Sequence, residues 1–298
     1  MTYVKKCAGV FIFGIILFLS LARVPAEAVN VNVSKKELQY FKSIDNKNVN
    51  SYPAITLTLK DTYINESAYL INDTTYVPLR AAATLAGAEV GFESETRTAT
   101  VRMKGLDMSA ADGSYIVYAN GRPLLSKTPC MILSDGRMYI PIRSLAKALS
   151  LDVEWLPPRS VKLSGNPTPL LTWEKYYRSD DIYWLSRIIS AESRGETLLG
   201  QIAVGNVILN RMRSSSYPNT IWGVIFDTKY GVQFSPVSDG SVYKTPTYNS
   251  VLAAKICLEG VSVSSDILFF MEPSKSTSSW IYTNRKYAFT IGNHYFFY

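Results

Sequence analysis

The pattern of apolar and polar residues changes along the chain and divides it into segments of different character. From residue 53 to 165, short runs alternate apolar and polar positions, as in AITLTL, which predicts β-strands. From residue 180 to 298, apolar residues recur at three- and four-residue spacing, which predicts mainly helices. Residues 29–52 are polar and predict a linker, and residues 166–179, with Pro and aromatic residues, predict a second linker between two domains.

The β-rich segment contains an internal repeat. TYVPLRAAATLAGAEVGF begins at Thr75 and MYIPIRSLAKALSLDVEW begins at Met138, so matching residues are 63 positions apart. In each copy a short strand ends in Pro, which favours the first turn of the helix that follows. A second strand, a turn and a further strand come after each helix. We therefore expect a duplicated, β-rich α+β domain with two small helices.

The first predicted helix of the second domain leads to a glutamate on its apolar side. It begins with a cap at Asp180 or Asp181 and runs through IYWLSRIISAES. Glu192 follows Ile188 by four residues and therefore lies close to the buried face. Partial burial and the negative end of the helix dipole both raise a carboxyl pKa. A raised pKa is what a general acid requires near neutral pH, so Glu192 is the candidate acid.

The alternative for Glu192 is a structural ion pair with Arg187 or Arg194. Gly195 favours the end of this helix, so that Glu196 or Thr197 is expected to start the next one. A carboxylate at a helix N-terminus complements the dipole, which gives Glu196 a structural explanation. Its alternative role is a supporting one, in which it orients Arg194 or a substrate group.

Composition and charge exclude several kinds of site. The formal net charge of +7 is spread over 298 residues without a Lys/Arg block, so no nucleic-acid partner is expected. His294 is the single histidine, which excludes a His-rich metal site, and no metal or cofactor is expected. After the leader, only Cys130 and Cys257 remain, and we expect two buried thiols instead of a disulfide framework.

Residues 1–28 have the pattern of a secretory signal peptide. Lys5 and Lys6 precede the apolar run CAGVFIFGIILFLSLA, and Ala26-Glu27-Ala28 offers an A-x-A cleavage site. The apolar run is short for a membrane span, so no stable membrane anchor is expected after cleavage. The mature protein is therefore predicted to be secreted.

The duplicated YVPLR…AGAEV pattern resembles the copper amine oxidase N-terminal-like stalk domain of bacterial extracellular proteins. The segment contains no histidine and one cysteine, so neither a copper site nor an oxidase is expected. The resemblance implies a non-catalytic spacer, with a wall or protein partner as its ligand.

Four blocks of the second domain occur in order: AESRGETLLGQIAVGNVILNR, YPNTIWGVIF, QFSP and TIGNHYFFY. Together they resemble the SleB-type cell-wall hydrolases, the spore cortex-lytic enzymes, over about residues 182 to 298. The resemblance implies a mainly α, lysozyme-like α+β domain. It also implies a lytic transglycosylase that cleaves peptidoglycan between N-acetylmuramic acid and N-acetylglucosamine, in the bacterial cell wall or spore envelope.

The same resemblance assigns roles to residues. It carries the family's catalytic acid to Glu192, and we expect Glu196 and Arg194 to support it. Contacts to the glycan strand are implied for Gln233, Phe234, Ser235, Asn293 and His294. Two alternatives remain open: a hydrolysing muramidase that uses Glu192 with a second carboxylate, and a non-catalytic wall-binding protein.

Overall fold

The computed structural model describes residues 40–229, 231–275 and 280–298. The predicted signal peptide, and the first predicted linker up to residue 39, lie outside the described residues. Within them, a β-rich N-terminal domain precedes a helical C-terminal domain, as the sequence predicts. No helix in the described ranges is long and apolar enough to cross a membrane.

Two sheets make up the N-terminal domain. The strands of the seven-stranded sheet are Ala54–Leu59 (β1), Thr62–Ile71 (β2), Thr74–Pro78 (β3), Met131–Ile132 (β9), Met138–Pro141 (β10), Asp152–Leu156 (β11) and Ser160–Ser164 (β12). Those of the five-stranded sheet are Glu89–Glu93 (β4), Thr98–Met103 (β5), Leu106–Ala111 (β6), Ile116–Ala119 (β7) and Arg122–Leu125 (β8). The second sheet is an antiparallel meander, and the first has the order β11-β12-β1-β2-β3-β10-β9. β1 and β12 are parallel, so the end of the domain lies beside its beginning.

The two repeated segments have the same succession of elements. Each begins with a strand that ends in Pro, continues as a short helix, and closes with a β-hairpin. The helices are Leu79–Leu85 (α1) after β3 and Ile142–Ala148 (α2) after β10. Pro78 and Pro141 stand at the N-caps, where the absent N–H costs no helical hydrogen bond. β3 and β10 pair antiparallel, which joins the two segments in one sheet.

The C-terminal domain is built around long helices and a small sheet. The short helix Trp173–Tyr176 (α3) precedes this domain. The helices of the domain itself are Ser179–Ser193 (α4), Leu198–Arg213 (α5), Ile221–Ile225 (α6), Ser235–Ser238 (α7), Tyr248–Leu258 (α8) and Trp280–Asn284 (α9). Its strands, Phe269–Met271 (β13), Tyr287–Ile291 (β14) and His294–Phe297 (β15), form an antiparallel sheet in the order β13-β15-β14. α5 is buried along most of its length and forms the centre of the domain.

The start of α4 differs from the prediction. Arg178 is the N-cap residue, and Asp180 and Asp181 lie in the first turn instead of capping the helix. Acidic side chains are favourable there because they face the positive end of the helix dipole. An acidic residue is favoured both at the N-cap and in the first turn of a helix, so the sequence did not distinguish these two positions.

Each domain has an apolar core that contains one free cysteine. Cys130 belongs to the core of the N-terminal domain and Cys257 to that of the C-terminal domain. Both thiols are buried and unpaired, which confirms the expectation from cysteine count. Burial raises the pKa of the Cys130 thiol to about 12, so it stays protonated and behaves as an apolar group.

Both predicted linkers place single side chains against the domains where the structure describes them. Phe41 is fully buried in a cluster that joins Ile116 of the N-terminal domain to the helices of the C-terminal domain. In residues 166–179, Tyr177 is buried and α3 forms a helical turn. Single apolar side chains thus anchor segments that are otherwise largely exposed.

A buried ion cluster joins the two domains. Glu259, at the C-cap of α8, accepts two hydrogen bonds from Arg122 at 2.7 and 2.9 Å. Lys147 lies 2.8 Å from the same carboxylate, and the Tyr177 hydroxyl donates to it. Burial opposes ionisation of Glu259, but these donors hold its pKa below the ordinary value. Because the cluster draws its members from both domains, it fixes one against the other.

Candidate active site

A wide groove with a volume of about 1460 Å³ lies on the C-terminal domain. It runs past the end of α4, the loop around α7, strand β13 and helix α9. Pockets for single small molecules have volumes of about 300–1000 Å³, so this groove has room for several units of a polymer. Its walls combine aromatic rings with charged side chains of both signs.

Glu192 lines this groove from the C-terminal end of α4. Its carboxylate forms no hydrogen bond or salt bridge with any residue that the structure describes. Arg187 instead lies 3.6 Å above the ring of Tyr183, and the Nε of Arg194 donates to the carbonyl oxygen of Ser190 at 3.2 Å. Glu192 therefore does not form the structural ion pair with Arg187 or Arg194 that was the alternative explanation.

The environment of Glu192 raises its pKa from 4.5 to about 7. Burial is the largest cause, repulsion by Asp239 adds to it, and attraction to Lys275 opposes it. The predicted direction of the shift is confirmed. Asp239 was not among the predicted site residues. It follows α7, and hydrogen bonds from the Ser241 side chain and from the Ser241 backbone N–H, the latter at 2.7 Å, lower the pKa of Asp239.

Glu196 anchors a turn and does not cap a helix. Its two carboxylate oxygens accept hydrogen bonds from the Asn293 backbone N–H, at 3.2 Å, and side-chain amide, at 2.9 Å. The Nδ1 atom of His294 lies 3.7 Å away. A Cβ on Gly292 would lie 1.8 Å from a Glu196 oxygen, so this turn between β14 and β15 requires glycine. The cap of α5 is Thr197, whose hydroxyl accepts from the Gly200 N–H.

Four of the five predicted substrate residues line the groove. Gln233 and Ser235 lie at its edge, whereas Phe234 is 3% exposed and supports the floor from the core. His294 lines the groove but is also buried, and burial holds its pKa below the ordinary value, so it is neutral near pH 7. Asn293 does not line the groove among the described residues, because it is bound to Glu196.

The fold and the groove thus define a two-domain protein whose helical domain presents the Glu192 carboxyl, with its raised pKa, to a wide groove. Family models match both domains: the copper amine oxidase N-terminal domain over residues 57–160 and the cell wall hydrolase over residues 195–297. The predicted resemblance of each domain is confirmed. Glu192 lies just before the region that the cell wall hydrolase model matches.

Known proteins resemble the C-terminal domain. The spore cortex-lytic enzyme of Bacillus cereus is 40% identical over 120 residues, which cover 40% of this chain and 45% of that protein. The spore cortex-lytic enzyme of Oceanobacillus iheyensis is 35% identical over 129 residues, which cover 43% and 45%. The chain therefore spans less than half the length of these curated relatives.

Among solved structures, the catalytic domain of the germination-specific lytic transglycosylase SleB from Bacillus anthracis is 39% identical, with a TM-score of 0.38. The match covers 41% of this chain and 97% of that one.

Proposed function

We propose that this protein is a peptidoglycan-cleaving lytic transglycosylase with Glu192 as its general acid and base. The observation that carries the proposal is the Glu192 carboxyl, which faces the groove, has no hydrogen-bond or ion-pair partner among the described residues, and has a pKa of about 7. A carboxylic acid with this pKa is partly protonated at neutral pH and can donate its proton to a leaving oxygen. The matches to cell-wall hydrolases and spore cortex-lytic enzymes support the substrate class.

The reaction needs one carboxyl because the nucleophile belongs to the substrate. Glu192 donates its proton to the glycosidic oxygen, and the bond between that oxygen and C1 of N-acetylmuramic acid breaks. The carboxylate then accepts the proton of the 6-hydroxyl of the same sugar, whose oxygen bonds to C1. The products are a free hydroxyl on N-acetylglucosamine and a 1,6-anhydro muramic end, and no water is consumed.

Asp239 favours a second candidate, the hydrolysing muramidase. It lines the groove and its charge acts on Glu192, so it is a second carboxylate available for activating water. Glu196, by contrast, is engaged by the Asn293 turn. Mass spectrometry of digested peptidoglycan distinguishes the two reactions, because anhydro ends identify the transglycosylase and reducing muramic ends the muramidase.

The role of Glu192 is tested with Glu192→Gln beside the parent and an exposed control, Glu95→Gln. We expect release of soluble fragments from purified sacculi to be lost in Glu192→Gln alone. Equal release by all three proteins would remove Glu192 from the mechanism. Sedimentation with sacculi, without release by the parent, would instead favour a non-catalytic wall-binding protein.

We further propose the finer architecture that the resemblances imply. The N-terminal domain is a duplicated stalk that binds no copper and supports the catalytic domain, and the C-terminal domain is lysozyme-like. A secretory signal at residues 1–28 would deliver the protein to the cell wall or spore envelope. The shared succession of strand, helix and hairpin in the two repeats supports the duplication.

A further inference from the structure

Two arginines, Arg211 and Arg285, line the groove. Arg211, on α5, is 5% exposed, and its Nε donates to the carbonyl oxygen of Leu268 at 2.7 Å. Its Nη1 is buried and has no hydrogen-bond partner within the part of the chain that the structure describes. Arg285 follows α9 and donates from Nη1 to the carbonyl oxygen of Asn284, but its Nε is also buried and has no partner among residues 40–229, 231–275 and 280–298. Neither arginine forms a salt bridge with a residue in the described part of the chain.

One aromatic ring brings the two arginines together. The guanidinium carbon of Arg285 lies 4.4 Å from the ring centre of Phe269, and that of Arg211 lies 5.2 Å from the same centre. Arg211 also lies 5.2 Å from the ring centre of Phe234 and 5.1 Å from that of Tyr217. Aromatic faces attract a cation, but they leave its N–H donors without acceptors.

This arrangement leaves the two guanidinium groups without a matching anion among the described residues. Burial lowers the pKa of Arg211, while attraction to Tyr217 and Asp227 opposes that shift. A guanidinium nevertheless stays protonated in proteins. Its planar donors match the two oxygens of a carboxylate, and such charge-assisted bonds are stronger than neutral ones. The missing partner is therefore best supplied by a carboxylate that enters the groove.

We propose that Arg211 and Arg285 form an anion subsite of the groove, which binds a carboxylate carried by the glycan strand. The inference rests on the proposed function, because it takes peptidoglycan as the occupant. A muramic acid residue offers this group in two ways: as its own lactyl carboxylate where no peptide is attached, or as a carboxylate of the attached peptide. Both have the same chemistry and are separated by the choice of probe.

Binding is measured by calorimetry on the full chain carrying Glu192→Gln, so that no turnover is needed. One probe pair is the N-acetylglucosaminyl–N-acetylmuramic acid disaccharide with a free lactyl carboxylate, and its methyl amide. The second pair is the same disaccharide bearing an L-Ala-D-Glu peptide, and its diamide. We expect an acid to bind about 10- to 100-fold more tightly than its amide, as loss of a charge-assisted hydrogen bond implies. The pair that shows the difference identifies the source of the carboxylate.

Three further substitutions locate the effect. Arg285→Gln and Arg211→Gln should each abolish most of the preference for the acid. Arg285 is only partly buried, so its variant keeps the test decisive if Arg211→Gln lowers the unfolding temperature. Arg213→Gln removes the same charge from an exposed position of the same helix, does not touch the groove, and should retain the preference.

Several results would overturn the subsite. They are equal binding of acid and amide, no binding of either probe pair, or an equal loss in Arg213→Gln. These results are independent of the proposed reaction, which fails instead if the parent releases no fragments from sacculi. An acid preference in a protein without cleavage activity would thus retain the subsite and reject the transglycosylase.

Discussion

Because the pKa of Glu192 is raised in the folded protein, we expect ionisation of its carboxyl to destabilise the fold at alkaline pH. The pKa of Glu192 is about 7 in the folded protein, above the ordinary value of 4.5, so its carboxyl binds a proton more tightly in the folded than in the unfolded state. The stabilisation from this tighter binding is fully present below pH 4.5 and is lost as the pH rises through 7. The gap corresponds to about 3 kcal/mol, since a tenfold change in affinity is about 1.4 kcal/mol. Glu192→Gln removes the titration while keeping the size of the side chain.

Urea unfolding of both proteins at pH 4 and pH 8.5 checks this. We expect the difference in free energy of unfolding between Glu192→Gln and the parent to shift by about 3 kcal/mol in favour of the variant at the higher pH. Glu95→Gln, in an exposed position of the N-terminal domain, controls for the loss of one negative charge. A difference that is the same at both pH values would refute the desolvated, unpartnered carboxyl and with it the basis for the general acid.

Three further predictions address the surroundings of the site and the domain interface. Asp239→Asn removes a negative neighbour, so the fall of kcat/KM with rising pH should move to lower pH by roughly half a pH unit; an unchanged profile would exclude electrostatic coupling to Glu192. Gly292→Ala drives a methyl group into the carboxylate that anchors its turn and should cost about 2–4 kcal/mol in urea unfolding. Gly113→Ala, also at positive φ but with open space around it, isolates backbone strain, and an equal loss in both variants would argue against the collision. Glu259→Ala leaves a buried arginine unpaired and should cost about 3–5 kcal/mol; a loss below about 1 kcal/mol by the same measurement would show that the cluster does not hold the domains together.

The sequence alone located the main elements because burial of one face imposes a period on the chain. The three- and four-residue spacing of apolar residues predicted α4 and α5, and alternation predicted the strands of the N-terminal domain. Gly195 correctly separated the two helices, with Thr197 as the cap of the second. The same spacing placed Glu192 beside the apolar face of its helix, which is why the direction of its pKa shift could be predicted.

The spacing of apolar residues does not predict contacts between segments that are far apart in the sequence. The partner of Glu196 is Asn293, 97 positions later, so local reasoning assigned this carboxylate to a helix terminus. The predicted linkers contain too few apolar residues to show a period, yet Phe41 and Tyr177 are buried at the domain interface. Their burial depends on surfaces supplied by other parts of the chain.

The groove is the feature that only the tertiary structure decided. Local sequence determined that a glutamate would end α4, and the resemblance of four ordered blocks indicated the kind of chemistry. The approach of Asp239 to Glu192, and of Arg211 and Arg285 to one aromatic ring, requires loops and strands that follow α5 to fold back over it. Charge and burial at a site are sums over spatial neighbours, and the order of residues along a chain specifies those neighbours only after the chain has folded.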